Sequence, residues 1–121
     1  MNSFNECYEP SAYRYLPTIQ VYNPSDNVSR VQFMDNTEPL DLTLISKVEI
    51  EIYSGFSIDT DTTPQYIVKA DQTLHLGVID LFLGRIPQLS QRVYNCKTRL
   101  YDSSVPKGTF FGFIRANVYT L

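Results

Sequence analysis

Hydrophobic and polar positions alternate along most of this chain with a period of two. The clearest run is Val48-Glu49-Ile50-Glu51-Ile52-Tyr53, where Val48, Ile50 and Ile52 share one face and the glutamates the other. Such alternation belongs to a strand with one face on a core and one in water. Upstream, 28–34 is rich in β-forming residues and stops at Asp35-Asn36, a turn pair. Ser54-Gly55 breaks the long strand, and a polar loop carrying Asp59-Thr60-Asp61-Thr62-Thr63-Pro64 is expected to follow. The strand pattern resumes over 66–70 and turns at Asp71-Gln72. The stretch 78–83 is apolar except for Asp80 and is closed by Gly84. Within 93–101, Tyr94, Cys96, Thr98 and Leu100 fall on one inward face. Pro106-Lys107-Gly108 makes a turn, and 110–119 forms a last long strand. No segment sustains a 3.6-residue period, and the single helical turn expected lies at 86–91. Seven or eight short strands separated by Gly, Pro and Asp turns predict an all-β fold, an antiparallel β-sandwich.

The first 25 residues differ from the rest. Four of the nine tyrosines, Tyr8, Tyr13, Tyr15 and Tyr22, fall there among Pro10, Pro17 and Pro24. Prolines so placed forbid a long helix and interrupt a central strand. The expectation is an extended Tyr/Pro-rich arm over 1–25, containing a first strand at 18–22, ahead of a sandwich domain over 26–121. The arm tyrosines have two destinations, their own domain or a neighbouring subunit, and Tyr8, Tyr13 and Tyr15 are the candidate partner-binding residues.

Composition narrows the function classes. At 121 residues the chain suits one domain, and 43% hydrophobic with 19% charged residues is a globular balance. The net charge of −3 offers no footprint for a nucleic-acid backbone or an anionic membrane, so neither is expected as a partner. Nothing at the front resembles a signal peptide, and no apolar run reaches the roughly 18–20 residues of a membrane-spanning helix. One histidine and two well-separated cysteines, Cys7 and Cys96, do not make the usual zinc set. Both thiols are expected to be reduced, with Cys96 buried, in a protein made in a cytosol.

Candidate chemistry is sparse. Asp59 and Asp61 with Thr60, Thr62 and Thr63 cluster hard oxygens as a calcium loop does, although a solvated loop before Pro64 accounts for the same residues. His75 lies between two leucines without a triad pattern, and the five glycines form no phosphate loop. Glu49 and Glu51 suit a solvated strand face better than a glycosidase pair. No catalytic residue, metal or cofactor is therefore expected, and the protein is not expected to be an enzyme. Tyr94-Asn95-Cys96 has the spacing of the tyrosine corner of immunoglobulin-like domains, in which the hydroxyl bonds back to upstream backbone. The paired cysteine and the tryptophan of that pattern are missing, so an immunoglobulin-like sandwich without its disulfide is expected, with Tyr94 structural.

One stretch carries a family resemblance. Arg30-Val31-Gln32-Phe33-Met34-Asp35, then Glu38-Pro39-Leu40-Asp41-Leu42-Thr43, resembles the opening of small β-sandwich domains of tailed-phage virions. These include the N-terminal domain of phage baseplate upper proteins and related head and tail accessory proteins. The likeness continues through Gly77-Val78-Ile79-Asp80-Leu81-Phe82-Leu83, through Leu89, Tyr94 and Arg99-Leu100-Tyr101-Asp102, and through Gly108-Thr109-Phe110-Phe111. It spans about residues 28 to 115 with short, degenerate motifs, and the Tyr/Pro arm departs from it. The resemblance implies a structural virion protein, a head decoration or tail/connector accessory subunit, whose partners are capsid, portal or tail subunits. Whether it also self-associates is left open. Asp41, in the Leu-Asp-Leu-Thr step, is expected to accept backbone N–H bonds at a strand crossover. The alternative is a carbohydrate- or receptor-binding module with Tyr53, Tyr66 or Tyr101 as the stacking ring.

Overall fold

In the computed structural model the described residues form ten strands in two sheets. The structure describes residues 17–53, 55–87 and 89–121 in full, and Asn5–Tyr8 as backbone. The strands are β1 (Asn5–Tyr8), β2 (Thr18–Asn23), β3 (Ser29–Asp35), β4 (Glu38–Pro39), β5 (Lys47–Tyr53), β6 (Phe56–Asp59), β7 (Ile67–Lys69), β8 (Val78–Leu81), β9 (Val93–Tyr101) and β10 (Thr109–Thr120). The first sheet runs β1-β3-β8-β7, with β4 folded back on β3, and the second runs β2-β10-β9-β5-β6. The expected β-sandwich is what forms. There is no α-helix among the described residues, and none long and apolar enough to cross a membrane.

Most pairings are antiparallel, but β1 with β3 and β2 with β10 are parallel. The chain thus lays its first strand on one sheet and its second on the other, and β2 lies beside the last strand. Within the segment read as an arm, then, Asn5–Tyr8 is a sheet edge strand whose register sets Cys7 opposite Phe33. The side chains of β1 lie outside the described residues.

The period-two pattern decides which side chains meet between the layers. Val48, Ile50 and Ile52 of β5, and Tyr94, Cys96, Thr98 and Leu100 of β9, are all buried. Opposite them, Val31 and Phe33 of β3 and Ile79 and Leu81 of β8 close the core. Phe33 meets Phe111 of β10 edge to face at 5.1 Å between ring centroids, joining the sheets at mid-core. Thr98, fully buried, donates its hydroxyl to the Gly112 carbonyl at 3.0 Å and so leaves no orphan polar atom. Asp80, the one charge in the apolar run 78–83, points outward and pairs with Arg30 across β3 and β8 at 3.0 Å.

Two expectations are corrected. The helical turn expected at 86–91 is instead a 3-10 turn at Leu83–Arg85. Ile86 precedes Pro87 and takes φ −72°, ψ 120°, the extended conformation a following proline imposes, so the turn ends at Arg85. Part of the loop expected after Ser54-Gly55 is strand β6, which returns along β5 through a turn with Gly55 at φ +86°. The short alternation of Phe56, Ser57, Ile58 and Asp59 places Ile58 fully in the core.

Candidate functional site

Tyr94 stands at the start of β9, where the chain arrives from the irregular segment after Leu83–Arg85. Its hydroxyl donates to the Ser90 carbonyl at 3.2 Å and lies 2.9 Å from the Ser90 Oγ. The ring is buried, with the Arg92 guanidinium 5.0 Å from its centroid and Tyr53 6.2 Å away. Tyr53 in turn stacks on Phe56 at 5.2 Å and 14°. Between this aromatic row and the segment bearing Leu89 and Ser90 lies a pocket of about 260 Å³. On the other side of Ile86 and Pro87 an open cleft of about 590 Å³ runs between Asn23–Asp26 and Gly84–Arg85. Asn23 closes its floor by donating from Nδ2 to the carbonyls of Ile86 at 2.8 Å and Gly84 at 3.3 Å.

Asp41 sits in the exposed link between β4 and β5. Its carboxylate accepts the Thr43 hydroxyl at 2.6 Å and the Thr43 amide at 2.8 Å, bonds that hold the carboxyl below its ordinary range. Around it, Gln72 accepts the Leu42 amide at 3.1 Å and the Gly77 amide at 2.8 Å, and Lys69 donates to the Ile45 carbonyl at 2.7 Å. This stretch is fastened to the β7–β8 turn by polar side chains whose spacing along the chain gave no hint of it. Asp41 and Tyr94 are thus both turn-holding residues at separate places. Tyr13, Tyr15 and the Tyr8 side chain lie outside the described residues.

The other clusters weighed for chemistry make hydrogen bonds within the fold. Asp59 accepts the amides of Asp61 at 2.9 Å and Thr62 at 2.6 Å, folding its loop on itself. Burial pushes the Asp59 carboxyl up, but the Thr62 and Asp61 bonds and the Lys47 charge outweigh it, leaving the group below its usual value. Among the described residues no group of three His, Cys, Asp or Glu side chains comes together as a metal site. Burial pushes the Cys96 thiol up to about 12, far from a nucleophile's range. Glu49 accepts the Tyr101 hydroxyl at 3.0 Å, and Glu51 faces Lys97 at 3.8 Å. Of the candidate sugar platforms, Tyr53 is half exposed, whereas Tyr66 is partly buried against the core.

One surface went unread in the sequence. The outer face of the second sheet exposes Tyr22, Phe110, Phe113 and Tyr119 along β2 and β10. The signal was Phe110-Phe111-Gly112-Phe113, where aromatic residues break the alternation around a glycine.

Neither a protein-family profile nor a curated protein matches the chain in sequence. Comparison with solved structures finds the N-terminal domain of phage TP901-1 ORF48, with a TM-score of 0.62 over 97% of this chain and 95% of that one. The two share a fold. At 7% identity they share few side chains, so the likeness lies in the course of the backbone. The resemblance to small phage β-sandwich domains, carried in the sequence by short motifs, is thereby matched over nearly the whole domain.

Proposed function

We propose that this protein is a structural, non-enzymatic subunit of a tailed-phage virion, a head decoration or tail/connector accessory protein that docks through its N-terminal segment and sheet edges. The observation that carries the reading is the end-to-end match in fold to a phage protein domain. The site geometry supports it: Asp41 and Tyr94 hold links and turns, and the Cys96 thiol is buried. The partners are capsid, portal or tail subunits, the location is the virion, and neither nucleic acid, metal, cofactor nor membrane enters the role. We also read the sandwich as immunoglobulin-like. The split of the first two strands between sheets and the Tyr94 hydroxyl bond to Ser90, two residues before Cys96, support that reading.

Docking through the N-terminal segment is tested by deleting residues 1–15. All buried core residues among those described lie between Ile19 and Val118, so the truncated chain is expected to fold while losing the β1 edge. Incorporation is then assayed on particles lacking the native copy. Loss of incorporation by a folded truncation supports the reading, and full occupancy contradicts it.

A second reading, a carbohydrate-binding module, is favoured by one feature: the half-exposed Tyr53 ring, backed by Phe56, beside Arg92 at the pocket under Leu89. Saturable binding on a glycan array, lost in Tyr53→Ala, would move the assignment there.

A further inference from the structure

The start of β10 is irregular in a way that costs apolar exposure. Its register against β9 passes from Phe110 opposite Arg99 to Gly112 opposite Thr98, so Phe111 is an extra residue in the ladder. Gly112 takes φ +112°, a conformation that other residues rarely adopt. An unbroken strand would put Phe111 and Phe113 on one face. The bulge turns Phe111 inward against Phe33 and leaves Phe110 and Phe113 outward, 39% and 37% exposed, with rings 5.4 Å apart at 73°. Bulges that re-aim side chains are over-represented next to functional sites.

The charges on β9 and β10 beside those rings are basic, with Glu49 and Glu51 one strand further away on β5. Arg99 lies opposite Phe110, Lys97 opposite Phe113, and Arg115 follows on the same face opposite Asn95. Among the described residues no acid pairs with Arg115, and Lys97 reaches Glu51 only at 3.8 Å. The stripe continues along β10 to Tyr119, stacked on Tyr22 at 5.6 Å, giving a band roughly 30 Å long at about 3.3 Å per residue. In a protein of net charge −3 this is a local basic and aromatic surface.

We propose that the outer face of β9 and β10 is a docking surface for an acidic, apolar segment of another protein, lying along β10 with its carboxylates on Lys97, Arg99 and Arg115. The inference names the chemistry of the partner within the virion reading and rests on that reading for where the partner is found. A second copy fits poorly, because β9 is the middle strand of its sheet and a twofold over it would set Lys97 and Arg99 against themselves. A single-stranded nucleic acid fits poorly too. Phe110 and Phe113 pack edge to face rather than offering parallel faces to successive bases.

The test measures fluorescence anisotropy of a labelled synthetic peptide of alternating leucine and glutamate on the purified full chain. Its leucine–lysine counterpart and a thymidine oligonucleotide serve as comparison probes. The acidic peptide is expected to bind, more weakly as salt rises, and to lose about tenfold or more in Phe113→Ser and in Arg115→Glu. Both positions are exposed, and unchanged melting curves show that the variants fold. No binding of the acidic peptide, indifference to both substitutions, or tighter binding of the oligonucleotide overturns the inference. Normal incorporation of Phe113→Ser into particles overturns it while leaving the virion reading intact. Absence of the protein from particles, with peptide binding retained, overturns the virion reading instead.

Discussion

Replacing Tyr94 with phenylalanine isolates the hydroxyl at the start of β9. The ring stays in the core beside Tyr53 and under Arg92, so no cavity opens. What goes is the bond to the Ser90 carbonyl at 3.2 Å and the contact with Ser90 Oγ at 2.9 Å. An intramolecular hydrogen bond of this kind contributes about 1 kcal/mol net. Ser90 is exposed, so water re-solvates its freed carbonyl and the full penalty of a buried orphan does not apply. The expected loss is therefore about 1 kcal/mol, or roughly 3–6 °C in Tm for a chain of this length. Tyr94→Ala, which also removes the buried ring, is expected to cost about 3–5 kcal/mol. Ser90→Ala removes the hydroxyl contact and keeps the carbonyl, so Tyr94→Phe should still destabilise that background, with a coupling of about 0.5 kcal/mol. Urea unfolding reads the four variants beside the parent chain, with unchanged m-values expected. A Tyr94→Phe loss below about 0.3 kcal/mol would mean that the ring alone holds the corner.

Three further outcomes follow from the geometry. A methyl group at Gly84 would clash with the carbonyl oxygen of Tyr22 and would also lie 2.9 Å from both the carbonyl and the hydroxyl oxygen of Ser25. Gly84→Ala should therefore lower stability by about 1–3 kcal/mol in urea unfolding, and a neutral result would mean that the 3-10 turn yields freely. The carboxyls of Asp41, Asp59 and Asp102 all sit below their ordinary value in the folded chain. A depressed folded pKa stabilises above the unfolded value, about 3.9, and that contribution is lost as pH falls through the folded value, so urea midpoints should drop in this acid range and drop less in Asp59→Asn. Cys96, with its thiol near 12, should react with a thiol reagent at pH 8 only as fast as the chain unfolds, and rapid labelling of the native protein at this residue would contradict its burial.

The parts of the fold legible in the sequence are those that local alternation decides. The inward set of β9, the two faces of β5 and the turn at Asp35-Asn36 follow from neighbours in the chain, and Asn36 does take a positive φ of 58°. Pairing partners are not local. Nothing in Thr18–Asn23 announces that it lies parallel to β10, or that Asn5–Tyr8 lies on the other sheet. β6 was hidden because its four residues are short and sit beside an Asp/Thr cluster that reads as loop. The roles of Asp41 and Tyr94 had local signals, since their partners lie two and four residues away. The outer aromatic face had its signal in Phe110-Phe111-Gly112-Phe113, but simple alternation misassigns these side chains because a bulge reverses it there.

The central claim is that this sandwich is a structural part of a phage particle. It is tested most directly by quantitative mass spectrometry of gradient-purified, nuclease-treated particles produced by cells that carry the gene in its native genome. The account predicts the protein in a fixed ratio to capsid or tail subunits, retained through high-salt washing. Its absence from intact, infectious particles, with the protein present in the infected cell, would contradict the account.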